Sequence, residues 1–265
     1  MRSVSTWHWR ALLLAMLCAA GLATAGLSQT GFNEREVKSQ PSSLDKVDVW
    51  AMDFRFKDPR LIKVHTPLRG TRIYWYLWYQ VINRTPQPRS VAPFFELVAN
   101  DPPAVYPDEV LPAVEDAIRK VEDPTGYQDI KNSVWMSKQP IPPSKAADEA
   151  FPRAITGVAI WDATSADPKQ RDVKGKDLSD CTKFTIFVRG LSNGFVEVDA
   201  PVPGEPAITQ YKTLQLNFQR QGGRASVDSR DIQFVGPAQW IYRSAGRRIP
   251  ALAVPPKAEE KKDEK

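Results

Sequence analysis

In Thr213 to Arg220 every second residue is apolar: Leu214, Leu216 and Phe218 point to one side of an extended chain, and Gln215, Asn217 and Gln219 to the other. A helix would scatter the same residues around its axis, so this period predicts a strand with one buried face. Phe184, Ile186 and Val188 repeat the pattern, and Gly190-Leu191-Ser192-Asn193-Gly194 then predicts a tight hairpin into Phe195 to Asp199, because Asn-Gly tolerates positive φ. Further strands are predicted at Val47 to Lys57, Leu61 to His65, Arg72 to Asn83, Pro93 to Ala99, Ser133 to Ser137, Ile155 to Trp161, Ile232 to Val235 and Ala238 to Arg243. Gly and Pro clusters separate them, and Gly222-Gly223 reads as another hairpin turn.

One segment departs from this period. From Pro107-Asp108-Glu109 to Asp123-Pro124, residues Val110, Leu111, Val114, Ile118 and Val121 share one helical face, which predicts a helix of about four turns. Many strands and one amphipathic helix give a mainly β fold: a β-sandwich, immunoglobulin-like in general architecture, with the helix laid over it. The length of 265 residues suits one large all-β domain, and 42% hydrophobic content can fill its core.

Arg2 and Arg10 flank an apolar run from Ala11 to Leu22 that ends in Ala23-Thr24-Ala25, the layout of a signal peptide cleaved before Gly26. A run of about 12 residues is short of the roughly 20 that a membrane span needs, which argues against an uncleaved anchor. A lipid anchor at Cys18 is disfavoured because Leu17 stands where the processing enzyme takes a small side chain. The expected organisation is a signal peptide over 1–25, a flexible polar linker over 26–46, the sandwich domain over 47–248 and a disordered charged tail over 249–265. The protein is therefore expected in the periplasm or outside the cell, with no stable membrane span after cleavage.

Cleavage takes Arg2 and Arg10 from 36 basic residues against 31 acidic ones, so the net charge falls from +5 to +3. Basic and acidic residues are interleaved, and no nucleic-acid-binding motif occurs, so a nucleic-acid partner is not expected. Only Cys181 remains after cleavage, which leaves no intramolecular disulfide, and its place at the start of a strand reads as a small core residue.

The run Tyr74-Trp75-Tyr76-Leu77-Trp78-Tyr79 stands out. On a strand, Tyr74, Tyr76 and Trp78 share one face and Trp75, Leu77 and Tyr79 the other. One account is a central strand packed between the second sheet and the helix, its phenol and indole groups bonded at the rim. The other is an exposed platform on which Trp75, Tyr76 and Trp78 stack sugar rings, making a carbohydrate-binding module. Trp161 and Trp240 read as core or rim residues.

Catalytic equipment is sparse. His65 is the one histidine past the signal segment, no G-x-S-x-G elbow occurs, and His/Cys metal clusters are ruled out by count. Carboxylate pairs suited to glycoside hydrolysis stay open among 31 acidic residues, though none stands out, and Asp177, Asp180 and Asp199 read as turn residues. Gly222-Gly223 lacks the lysine and helix start of a phosphate loop. Asn83-Arg84-Thr85 fits a glycosylation sequon. The expectation is an exported binding or structural module with no cofactor and no catalytic activity, its partner an envelope protein or a polysaccharide. An unrecognised hydrolase is the third reading.

The segments RLIKVHTP, YWYLWYQVINRTP, GVAIW, KTLQLNFQR and WIYR, taken in that order, resemble a group of exported bacterial proteins of planctomycete type that have no assigned function. The resemblance covers most of residues 47 to 245. It implies a bacterial envelope or exterior setting, where the sequon would be irrelevant, and it assigns no site residue.

Overall fold

A computed structural model describes residues 34–101, 103–144, 152–163, 178–200, 204–221, 228 and 231–244. The chain divides into Met1–Asn33 and Glu34–Lys265, and all described residues belong to the second unit. The expected signal peptide, the charged tail, Asp177 and Gly222-Gly223 lie outside them.

The fold is a β-sandwich of two antiparallel sheets. In the first, β1 (Glu34–Val37) pairs with β2 (Asp53–Lys57), and β2 and β3 (Arg60–Thr66) lie end to end along one edge of β4 (Gly70–Ile82). The other edge of β4 takes β7 (Ala154–Asp162). Phe56 faces Tyr79, whereas Arg60 faces Tyr76, so four residues on one side span three on the other and Asp58-Pro59 forms a one-residue bulge. A bulge also tolerates the proline, which has no N–H for the ladder.

The second sheet centres on β10 (Ile208–Arg220). Along one of its edges run β8 (Lys183–Arg189) and β9 (Phe195–Val198), and along the other β11 (Ile232–Phe234) and β12 (Gln239–Ser244). β5 (Phe94–Asn100) continues the sheet beyond β8 and is followed by β6 (Pro103–Pro107) at the edge. Leu214, Leu216 and Phe218 are buried and their polar neighbours half-buried, as the alternation predicts.

The core lies between the sheets. Trp75, Leu77, Tyr79, Phe54 and Phe56 meet Phe95, Phe184, Leu216 and Phe218, with ring centroids 4.6 Å apart for Tyr79 and Phe95 and 5.1 Å for Trp75 and Phe184. Gly157 on β7 makes room for this packing, since a Cβ there would stand 2.5 Å from the Tyr79 ring. A second cluster lies on the outer face of the first sheet, where Tyr74, Tyr76, Trp78, Val158 and Ile160 are roofed by Val114 and Ile118 of helix α1 (Pro112–Glu122).

Several expectations are corrected. β8 and β9 do not form a hairpin with each other: they run in the same direction along β10. The chain between them leaves the sheet at Gly190 (φ 82°), where a Cβ would collide with the Ala92 carbonyl, and meets the 50–52 backbone, with Met52 N–H donating to Leu191 O. Asn193 bonds backbone groups of Asp48 and Trp50 instead of forming a turn.

The helix begins at Pro112, not Pro107. Proline lacks the N–H that a helix interior needs but fits the first turn, and Pro107 ends β6. Val110 therefore precedes the helix and is exposed, and Val121, in its last turn, lies off the buried face and is exposed as well. Ser133 to Ser137 is not a strand: Ser133–Met136 forms a one-turn helix, α2, capped by Asn132, whose side chain accepts from Trp135 N–H at 2.8 Å. The 26–46 linker is folded in part, since β1 pairs with β2 and Val37 enters the core. Residues 47–52 carry no strand, and β2 starts only at Asp53.

Candidate binding face

The three residues of the expected sugar platform are closed to solvent. Trp75, Tyr76 and Trp78 are at most 2% exposed, so no ring among them is open for a sugar to stack on, and the platform reading is corrected. The two apolar faces of β4 instead serve the two clusters above and below it, which is the central-strand account. Its polar tips are mostly bonded: Tyr76 donates to Glu122 at 2.8 Å and Trp78 to Gln128 at 3.0 Å. The Trp75 indole N–H has no acceptor among the described residues.

The other candidates stay apart. His65 is exposed on β3, its ring Nδ1 2.9 Å from the Thr71 hydroxyl. Cys181 is buried in the core, and burial pushes its thiol above the ordinary value. Asp180 ends a short 3-10 turn and Asp199 is exposed after β9. Asn83 is fully buried, its amide donating to Gln87 O and Ile141 O at 2.8 Å each, so the sequon offers no free amide to a glycan.

What the strand register does bring together is an aromatic and cationic row on the outer face of the second sheet. Phe94 faces Arg189 across β5 and β8, and Glu96 faces Phe187. Across β10, Tyr211 faces Phe195 on one side and Arg243 on the other. Phe94 is 38% exposed and Tyr211 41%. A concavity of about 140 Å³ opens here, lined by Phe94, Glu96, Phe187, Arg189, Thr213 and Arg243. Arg243 pairs with Glu96 and lies 4.0 Å over the Phe187 ring. The Arg189 guanidinium lies 5.1 Å over Phe94 and 5.5 Å over Tyr211, with no ionic or hydrogen-bonding partner among the described residues.

A groove of about 320 Å³ lies at one end of the sandwich, between the 39–51 segment and Arg84, Thr85 and Lys212. It is braced by Asp45, which accepts from Lys212 Nζ at 2.5 Å, Tyr242 O–H at 2.7 Å and Ser42 N–H at 2.9 Å. Burial alone would raise the Asp45 carboxyl, but these three donors outweigh it and hold the group below its ordinary value of 3.8. Stability from this carboxylate is fully present above 3.8 and is lost as pH falls through the lowered folded-state value. Asp45→Asn should therefore lower the urea midpoint at neutral pH and flatten its decline below about pH 4. An acid limb identical to wild type would show that the latch contributes nothing.

No known protein family, curated protein or solved structure matches the chain.

Sequence reasoning passed over the outer-face residues. The alternation that buries Phe95, Phe184 and Leu214 turns Phe94, Arg189 and Tyr211 outward, but their meeting depends on the register of strands far apart in sequence.

Proposed function

We propose that this chain is an exported binding module that works without catalysis, engaging a component of the bacterial envelope or exterior through the outer face of its second sheet. One observation carries the reading. The outer face of the first sheet is roofed by α1, whereas the outer face of the second, with four aromatic rings and the unpaired Arg189, lies under no described element. Exposed aromatic rings interleaved with arginine are the side chains that recognition surfaces favour. The apolar run ending in Ala23-Thr24-Ala25 supports export, and the intact mass of the exported form should correspond to a chain starting at Gly26.

The test is a double substitution on the open face, Phe94→Ser with Tyr211→Ser. Both side chains are more than a third exposed, so the melting temperature should hold while co-sedimentation with the envelope fraction of the exporting cells is lost. A stable double variant that sediments like wild type would overturn the reading.

A further inference from the structure

The two guanidinium groups beside the 140 Å³ concavity differ in state. Arg243 is neutralised by Glu96, while Arg189 has no counter-charge among the described residues, so these residues leave the site one positive charge. The Arg189 guanidinium lies within cation–π range of Phe94 and Tyr211, at 5.1 Å and 5.5 Å from the ring centroids, and its N–H donors are left for solvent or a ligand. Such a donor fork matches a carboxylate with two parallel charge-assisted hydrogen bonds. A second cation, Lys46, lies 4.6 Å over Phe195, which is paired with Tyr211.

We infer that this concavity binds a carboxylate of an acidic polysaccharide, with Arg189 holding the charge and the exposed parts of Tyr211 and Phe94 packing against the sugar. The inference rests on the outer face being the binding face. A polysaccharide fits better than an acidic peptide for a structural reason. Extended peptides add to sheet edges, where backbone groups are free. Here the concavity lies over β5, β8, β10 and β12, which are paired with one another, so side chains must do the recognising. Beyond it the face continues with Thr185 and Gln215, which both donate to Asn217 Oδ1, a polar cluster whose remaining amide and hydroxyl valences suit sugar hydroxyls, and Tyr211 to Asn217 spans roughly 20 Å of strand.

The probe is polygalacturonate, compared with its fully methyl-esterified form, in native affinity electrophoresis. Wild-type protein should be retarded by the acid and not by the ester. Arg189→Gln should weaken the apparent affinity about ten- to a hundredfold, the loss of hydrogen bonds to a charged group, at an unchanged melting temperature. Arg189→Lys should fall between, because a point charge replaces the fork. Lys63→Gln, which removes an exposed cation from β3, should change little. Equal retardation by both polymers, equal losses in Arg189→Gln and Lys63→Gln, or no retardation of wild type would each overturn the carboxylate assignment. If the Phe94/Tyr211 double variant loses envelope binding while polygalacturonate is ignored, the binding face stands and its ligand assignment falls.

Discussion

Trp75→Ala and Trp78→Ala are each expected to destabilise the fold by about 3 to 5 kcal/mol, because each replaces a large buried ring by a cavity. The two rings sit next but two to each other on β4 and serve different layers. Trp75 packs between the sheets against Phe184, and Trp78 lies under α1 with Val114 and Ile118. Neither cavity can collapse easily, since β4 is held on both edges by β3 and β2 on one side and β7 on the other. Their contexts also differ in polarity. Trp78→Ala strands the Gln128 side-chain carbonyl and removes the ring that lies 4.2 Å from Lys57 Nζ. Trp75→Phe, by contrast, discards an indole N–H that has no acceptor among the described residues, so part of its lost packing is offset by about 1 kcal/mol or more of relieved desolvation. Urea denaturation at constant m-value reads these differences. Against a typical total stability of about 5 to 15 kcal/mol, the double alanine variant should fail to fold. A Trp78→Ala protein with a wild-type midpoint would mean that the helix does not roof the first sheet.

The layering was legible because β4 is apolar on both sides. A strand needs two apolar faces only when something packs on each, so Tyr74 to Tyr79 implied a second sheet on one side and the helix on the other. The strands with one buried face were legible for the matching reason. β1 was not, because Glu34 to Val37 buries one apolar side chain and is held by backbone pairing to β2. The false hairpin at 190–194 came from a local rule that fits Asn-Gly, overridden by bonds to residues 48–52 that no local pattern encodes. The candidate binding face was the least legible feature. Phe94, Arg189, Tyr211 and Arg243 belong to four strands, and each by itself is an ordinary outward-facing residue. Only pairing order assembles them.

Glu122→Ala is expected to cost about 3 to 5 kcal/mol, an effect as large as losing a core tryptophan, because it breaks a buried ion pair by removing one partner. The Glu122 side chain is 2% exposed and sits at the C-terminal end of α1, where the helix dipole disfavours an anion. Three donors offset that: Lys57 Nζ at 3.1 Å, Arg60 Nη1 at 2.7 Å and the Tyr76 hydroxyl at 2.8 Å. Their convergence depends on the bulge. Residues three apart on a regular strand face opposite ways, but the extra residue at Asp58-Pro59 turns both Lys57 and Arg60 to the helix side. The Lys57 side chain is 4% exposed, so removing Glu122 takes away the carboxylate buried beside it, while Glu34 lies 3.9 Å away and is 37% exposed. Burial, then the Glu122 charge, pushes the Tyr76 phenol well above its ordinary value, so it stays a donor throughout the stable range. Three substitutions sort the contributions. Tyr76→Phe should cost about 1 kcal/mol, the net worth of one hydrogen bond. Lys57→Met should cost less than Glu122→Ala, because the carboxylate keeps Arg60 and Tyr76 while the cation's desolvation penalty disappears. Glu122→Gln should fall between, keeping an acceptor for Tyr76 but no charge for Lys57. If Glu122→Ala proves milder than Tyr76→Phe in urea denaturation, the ion cluster is not what fastens α1 to the sheet, and the apolar contacts of Val114 and Ile118 hold it alone.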